Sequence, residues 1–208
     1  MTERLTRIQG LVVPLLWDNV DTDALVPAAP LKRLGGNGRE RSGEILFYEF
    51  RYDSDGAPKQ DFVLNDAQFA GAPILVAGEN FGCGSSREVA VWALQDYGFR
   101  AVIARNFADI FEQNAYKNQL LPAAVDATSY AKLVAALHRS PLSVTIDLIE
   151  SCIRIGDDAI GSFSADEMGL EMIVTGMDEF ALTARYLPDI RACQNQLVEA
   201  HPWLDPQS

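Results

Sequence analysis

Short apolar runs, each bounded by proline, glycine or a polar cluster, recur along the first two thirds of the chain and predict buried strands. The runs are residues 11–16, 44–48, 74–77, 100–104 and 120–125. Longer patterns at 89–97 and 107–117 lie between the last three runs and predict helices. This alternation predicts an α/β fold in which parallel strands are joined by right-handed crossovers.

The pattern changes after residue 125, where alternating strands and a final group of helices are expected. The expected elements are a helix at 129–138, strands at 143–148, 152–155 and 160–163, and helices at 166–175 and 178–199. No linker divides the chain, so we expect one domain over residues 1–208. Its core should span about residues 5–165, and its C-terminal helices about 166–200.

One long segment, residues 28–42, shows neither the helical nor the strand periodicity of apolar residues, and it is rich in glycine. It carries four basic residues in an otherwise acidic protein: Lys32, Arg33, Arg39 and Arg41. We expect a loop here. It is either a solvated surface loop or a functional lid, because unstructured loops of this length often have a function.

Composition restricts the classes of function. With 48% apolar and 22% charged residues, the 208-residue chain should fold as a globular protein, and its net charge of -12 argues against nucleic acid or anionic membranes as partners. No apolar run approaches the roughly 18 residues of a membrane helix, and no secretory signal is expected at the start. The scattered cysteines Cys83, Cys152 and Cys193 match no zinc or iron–sulfur spacing and favour free thiols in a reducing cytoplasm.

Residues 78–88 form a glycine-rich loop between a predicted strand and a predicted helix. Gly78, Gly82 and Gly84 allow the backbone to come close to a ligand. The sequence matches neither the Gly-Lys-Ser/Thr of a Walker loop nor the third glycine of a dinucleotide fingerprint. We therefore consider other anions as ligands of this loop.

The helix after the loop should begin with a capping box in which Ser85 is the cap and Glu88 the partner three residues on. Free N–H groups, the helix dipole, the hydroxyls of Ser85 and Ser86, and Arg87 would then converge on one anion site. Arg87 could grip a carboxylate through two hydrogen bonds. The alternative is a purely structural cap without a ligand.

Two further features have a structural and a functional interpretation. Residues 17–23 pack acids like a calcium loop, but the glycine and glutamate that such a loop needs are missing, so we interpret them as a turn. Cys83 could be a nucleophile, yet His138 and His201 lie far along the chain, which favours a structural thiol. A serine at a cationic helix terminus could instead act as a base.

Several motifs, in order and with their spacing kept, resemble the small subunit of isopropylmalate dehydratase, a family related to aconitase. They are residues 19–23 (NVDTD), 79–88 (ENFGCGSSRE), 92–94 with 96–99 (WAL and DYGF), and 107–111 with 118–122 (FADIF and NQLLP). The resemblance covers about residues 10–122, and the last third matches only loosely.

The resemblance implies a swivelling β/β/α domain and a large-subunit partner that carries a four-iron, four-sulfur cluster. The implied reaction interconverts 2-isopropylmalate and 3-isopropylmalate by dehydration and rehydration in leucine biosynthesis. Ser85 would be the general base and Asp23 would support the site. Ser86 and Arg87 would hold a substrate carboxylate. We also expect Thr22 and Arg33 to bind the substrate, with Lys32, Arg39 and Arg41 as the alternative basic residues of the loop.

The sequence also departs from the family pattern at positions that concern the substrate. Val89 and Val91 replace a usual histidine and proline, and Ala28 and Ala29 replace a basic and an aromatic residue. A relative acting on another substituted malate, such as methylmalate or dimethylmalate, is therefore an alternative. A non-catalytic carboxylate-binding module is the alternative from a different class.

Overall fold

The computed structural model of the chain describes residues 5–35, 39–138, 141–201 and 203. Residues 1–4, which include the start on which the signal expectation depended, lie outside the described residues, as do residues 36–38 of the basic loop. Within the described part, no helix is both long enough and apolar enough to cross a bilayer.

The centre of the fold is a closed barrel of seven strands. They are β1 (Arg7–Pro14), β2 (Ile74–Val76), β3 (Ala101–Ala104), β4 (Leu121–Val125), β5 (Ser143–Asp147), β6 (Cys152–Ile155) and β7 (Asp158–Ser164), in the order β1-β2-β3-β4-β7-β6-β5. The parallel pairing of β2, β3 and β4 confirms the prediction. The barrel closes because β1 is long enough to pair twice, with β5 along its first half and with β2 along its second.

Helices surround the barrel in the part of the chain that the structure describes. They are α1 (Thr22–Leu25), α2 (Ala28–Leu34), α3 (Tyr48–Arg51), α4 (Val89–Tyr97), α5 (Asp109–Lys117), α6 (Ala127–Leu137), α7 (Glu167–Thr175), α8 (Glu179–Ala184) and α9 (Leu187–Ala200). Alternate residues of β2 belong to two apolar clusters, Leu75 to one and both Ile74 and Val76 to the other. Burial on both faces explains why the parallel strands are continuous apolar runs.

Two predictions in the region 28–48 are wrong. Part of the expected loop is helix α2, whose Leu31 and Leu34 are three residues apart and pack on the core. The strand expected at 44–48 is instead a 3₁₀ helix, Ser42–Ile45, followed by α3. Phe47 adopts a left-handed φ of 51° between them, which reverses the chain and prevents sheet pairing.

The long helix expected at 178–199 is also wrong in detail, because the structure has two helices, α8 and α9, with a break at Arg185 and Tyr186. Pro188 explains the break. A proline has no N–H to donate, and its ring clashes with the carbonyl four residues earlier, so it is tolerated only in the first turn of α9.

Candidate functional site

Two loops that follow neighbouring parallel strands lie side by side at the carboxyl ends of β1 and β2. Four main-chain hydrogen bonds join them: Gly78 N to Trp17 O (2.8 Å), Asn19 N to Glu79 O (2.7 Å), Gly82 N to Val20 O (2.7 Å) and Thr22 N to Cys83 O (2.8 Å). Open α/β sheets bind ligands at this edge, and the closed barrel keeps the same arrangement here. The pairing brings two distant motifs, NVDTD and GCGSSRE, into contact.

Thr22 and Ser85 form the centre of this contact. The Ser85 N–H donates to Thr22 Oγ1 at 3.1 Å, and the two hydroxyl oxygens are 2.7 Å apart. Because Thr22 Oγ1 already accepts the amide proton, its own proton can be directed at Ser85 Oγ. Thr22 is only 1% exposed, whereas Ser85 is exposed. The Thr22 hydroxyl therefore bonds to the Ser85 hydroxyl from the protein interior, and the Ser85 hydroxyl stays accessible to solvent.

Arg87 completes the cluster. Its Nε donates to Ser85 Oγ at 2.8 Å and its Nη1 to the Val26 carbonyl at 3.3 Å, while Nη2 forms an ion pair with Asp23. The guanidinium carries five N–H groups, so these three bonds leave two for a ligand. The Asp23 side chain is 69% exposed, and a solvent-exposed pair of this kind is weak. An incoming carboxylate can therefore share or replace it.

The predicted capping box is wrong. Helix α4 begins at Val89, its cap residue is Glu88, and no side chain caps its N–H groups. Gly84 has a φ of 99°, which turns the chain so that Ser85 bonds to Thr22 instead of the helix. Glu88 Oε1 accepts a hydrogen bond from Asn118 Nδ2 at 2.7 Å. The Ser85 hydroxyl is consequently not occupied by the helix terminus.

Gly82 is required for packing as well as for its backbone conformation. Its φ is 79°, and a Cβ at this position would lie 2.1 Å from Cγ of Phe111. The absence of a side chain therefore lets α5 pack directly against the loop. This contact fixes the base of the segment that carries Ser85.

The surroundings of Cys83 favour its thiol form over the thiolate. Burial, and to a lesser extent the charge of Asp21, raise the pKa of the Cys83 thiol. A raised pKa disfavours the form that attacks substrates or binds metals. Across the described ranges, no group of three or more His, Cys, Asp or Glu side chains is arranged to hold a metal ion.

The remaining two predicted site residues are placed differently. The Ser86 side chain is exposed beside Arg87, and its carbonyl accepts from Asn114 Nδ2 at 3.4 Å. Arg33 is exposed on α2 and lines a cavity of about 730 Å³. Arginine and tyrosine side chains share that lining, including Arg41, Arg51, Tyr48, Tyr52 and Tyr97. This cavity is not lined by Thr22, Asp23, Ser85 or Arg87, so the structure does not bring Arg33 into contact with them.

Sequence reasoning missed the polar residues that hold the two loops. Asn80 Nδ2 donates to Asn19 Oδ1 at 2.9 Å, and both residues have a φ of 54°. The sequence did contain a signal, because asparagine is the non-glycine residue that most readily adopts a left-handed backbone. Each of the two asparagines is also followed by an apolar residue. The main-chain carbonyl of Val26 accepts from Arg87, and this contact leaves no signal in the sequence because every residue has a main-chain carbonyl.

The cluster can perform one half of an elimination reaction. Hydrogen bonds from Thr22 and Arg87 converge on Ser85 Oγ and would stabilise its deprotonated form. The two remaining N–H groups of Arg87 suit a substrate carboxylate. The residues therefore combine a candidate base with a carboxylate site.

Comparisons with known proteins show which proteins this chain is similar to. The family described as the aconitase C-terminal domain matches residues 2–128. The 3-isopropylmalate dehydratase small subunit of Bacillus subtilis (strain 168) is 43% identical over 178 residues, which cover 86% of this chain and 88% of the relative. The protein of the same name from Xanthobacter autotrophicus is 41% identical over 203 residues, or 97% and 100% of the two chains. A solved 3-isopropylmalate dehydratase (leuD) structure from Methanocaldococcus jannaschii is similar, with a TM-score of 0.62, 29% identity, and 89% and 99% of the chains covered.

Proposed function

Because the chain belongs to the family of 3-isopropylmalate dehydratase small subunits, within the aconitase C-terminal domain family, we propose that it is the small subunit of such a hydro-lyase. The enzyme interconverts 2-isopropylmalate and 3-isopropylmalate in leucine biosynthesis by removing and re-adding water. The observation that carries this proposal is the Thr22–Ser85–Arg87 cluster at the edge shared by the two family motifs.

Ser85 is the general base that takes the proton from the carbon next to a substrate carboxylate. A free serine alkoxide is too unstable at neutral pH to act alone. The Thr22 hydroxyl and the Arg87 Nε, at 2.7 Å and 2.8 Å from Ser85 Oγ, lower that cost. On rehydration the same oxygen returns the proton to the substrate.

Arg87 and Ser86 hold the substrate carboxylate. The Arg87 guanidinium is oriented by its bonds to Ser85 Oγ and the Val26 carbonyl, and its remaining N–H groups are available to the carboxylate. Ser86, the preceding residue, adds an exposed hydroxyl. Thr22 is too buried to reach the substrate and acts through Ser85. Arg33 lines a separate cavity, so its contact with the substrate has no support from the geometry of the cluster.

The partner is the large subunit of the dehydratase, which by the family resemblance would carry the four-iron, four-sulfur cluster. Bound there, the cluster would supply the Lewis acid for departure of the hydroxyl group. The chain described here supplies the base, the carboxylate fork and the surface that faces the partner. We place the assembled enzyme in the cytoplasm, and we treat the chain as a single swivelling domain with appended C-terminal helices.

Complementation tests this proposal. A strain that lacks its own small subunit and requires leucine should grow without leucine when it expresses this chain together with a matched large subunit. Failure to grow, with both chains produced and assembled, would contradict the proposed substrate. Activity of that assembly on methylmalate or dimethylmalate would then assign the chain to the related dehydratases, whereas no activity on any substituted malate would favour the binding module.

A further inference from the structure

We propose that Asn80 is a positioning residue for this reaction, which sets the register between the loop of Thr22 and the loop of Ser85. The inference rests on the proposed function for its catalytic part. Asn80 does not reach the Thr22–Ser85–Arg87 cluster through any hydrogen bond in the described residues, so its effect is through the backbone.

On one side, Asn80 joins the two loops through its side chain. Its Nδ2 donates to Asn19 Oδ1 at 2.9 Å, while the Asn19 N–H donates to the Glu79 carbonyl at 2.7 Å. Asn19 and Asn80 both have a left-handed φ of 54°, so each of the two loops turns at the residue that makes this bond. The side-chain bond therefore links two matched turns, from which the loops continue toward Thr22 and Ser85.

On the other side, the main chain of Asn80 is tied to the loop after β3. Its N–H donates to Asn106 Oδ1 at 2.6 Å, and the N–H of Phe81 donates to the Asn106 carbonyl at 3.2 Å. Phe81 in turn accepts from the N–H of Ala108 at 3.0 Å. The loop that carries Ser85 is thus held between two neighbouring loops, and Asn80 contacts both.

Because of its position, Asn80 should affect the geometry of the site more than the stability of the protein. Asn80 is exposed, so removing its side chain leaves no cavity in the core. It precedes Ser85 by five residues, and a small rotation there displaces the base relative to Thr22. Misplacement of a reacting group by about 1 Å can cost about a hundredfold in rate.

The test compares three variants in the assembled enzyme. Asn80→Gly keeps the left-handed backbone and removes the side-chain amide. Asn80→Asp keeps a side chain that can accept a hydrogen bond from Asn19, once the Asn19 amide has flipped to point its NH₂ group at residue 80. Ser151→Gly is the matched control, because Ser151 also has a positive φ of 50° but lies in the turn between β5 and β6. We expect kcat to fall about tenfold to a hundredfold in Asn80→Gly only, and Asn80→Asp to recover most of it.

A double variant separates positioning from general damage. If Asn80 acts through the Thr22–Ser85 contact, Asn80→Gly combined with Thr22→Val loses no more kcat than Thr22→Val alone. Multiplied losses, or equal losses in Asn80→Gly and Ser151→Gly, would overturn the inference.

A second measurement needs no turnover. The amides of Thr22 and Ser85 donate to Cys83 O and Thr22 Oγ1, so their hydrogen exchange reports the register of the loops. Faster exchange at both in Asn80→Gly, and not in Ser151→Gly, supports the inference, and unchanged exchange overturns it. Absence of dehydratase activity in the parent assembly would refute the proposed function, whereas the exchange result would still decide whether Asn80 positions the loops.

Discussion

The hydroxyl oxygens of Thr22 and Ser85 lie 2.7 Å apart although 63 positions separate the two residues in the chain. The contact exists because the loops after β1 and β2 run together at one edge of the barrel. It joins a buried hydroxyl to an exposed one, and Arg87 donates to the exposed oxygen from the other side. The chemistry that we assign to this chain depends on that convergence.

Thr22→Val tests the buried donor. Valine has nearly the same shape but no hydroxyl, so Ser85 Oγ loses one hydrogen bond and the Ser85 N–H loses its acceptor, while the apolar packing is kept. We expect kcat of the assembled enzyme to fall about tenfold or more, because the alkoxide is less stabilised. Thr22→Ser, which restores a hydroxyl, should recover the parent kcat, and an unchanged rate in Thr22→Val would exclude this role.

Arg87→Lys tests the carboxylate fork. Lysine keeps the charge but cannot donate to Asp23, Ser85 and a substrate carboxylate in one plane. We expect KM to rise about tenfold or more, with a smaller fall in kcat through the lost bond to Ser85. Arg105→Lys, in an exposed ion pair with Glu79, is the control and should leave both constants unchanged. A KM equal to that of the parent would argue against substrate binding by Arg87.

Gly82→Ala tests the packing beneath the loop. The new Cβ would lie 2.1 Å from Phe111, and the residue would also keep an unfavourable φ of 79°. We expect the free energy of unfolding to fall by about 3 kcal/mol or more in urea titrations. Gly98→Ala has a positive φ of 122° but open space around it, and should lose only about 1–2 kcal/mol. Equal losses in the two variants would show that the close contact with Phe111 is unimportant.

Cys83 provides a pH test of the site. Its raised pKa keeps the thiol protonated to higher pH than an ordinary cysteine, so alkylation by iodoacetamide should be slow at pH 7 and should accelerate only above the ordinary thiol range. A chain with Cys152→Ser and Cys193→Ser reports Cys83 alone. Cys83→Ser should retain most dehydratase activity. Rapid labelling at neutral pH, or loss of activity in Cys83→Ser, would restore the nucleophile interpretation.

Patterns of burial predicted the centre of the fold well. The runs at 74–77, 100–104 and 120–125 are the parallel strands β2, β3 and β4, because strands buried on both faces must be apolar throughout. The same argument failed at 44–48, where Ile45, Leu46 and Phe47 are buried in helical turns rather than in a strand. Burial sets the polarity of a short run, and it does not distinguish a strand from a turn.

The candidate site was predictable in its residues but not in its contacts. The glycines around Cys83 and the arginine after them indicated a ligand loop, and Ser85 and Arg87 do lie together. The predicted cap failed because a hydroxyl from another loop, Thr22, competes for Ser85. Such competition between distant segments depends on their packing and leaves no local pattern. Asn80 was missed although asparagine favours a left-handed backbone, because its hydrogen-bond partner, Asn19, lies in a different loop.

The most direct test of our central claim measures dehydration of 3-isopropylmalate by the chain, by the large subunit, and by their mixture, with the parent chain and with Ser85→Ala. We predict turnover only in the mixture, and normal assembly of Ser85→Ala with a kcat lower by about a hundredfold to ten-thousandfold. Turnover by this chain alone, or a normal kcat in Ser85→Ala, would contradict the account.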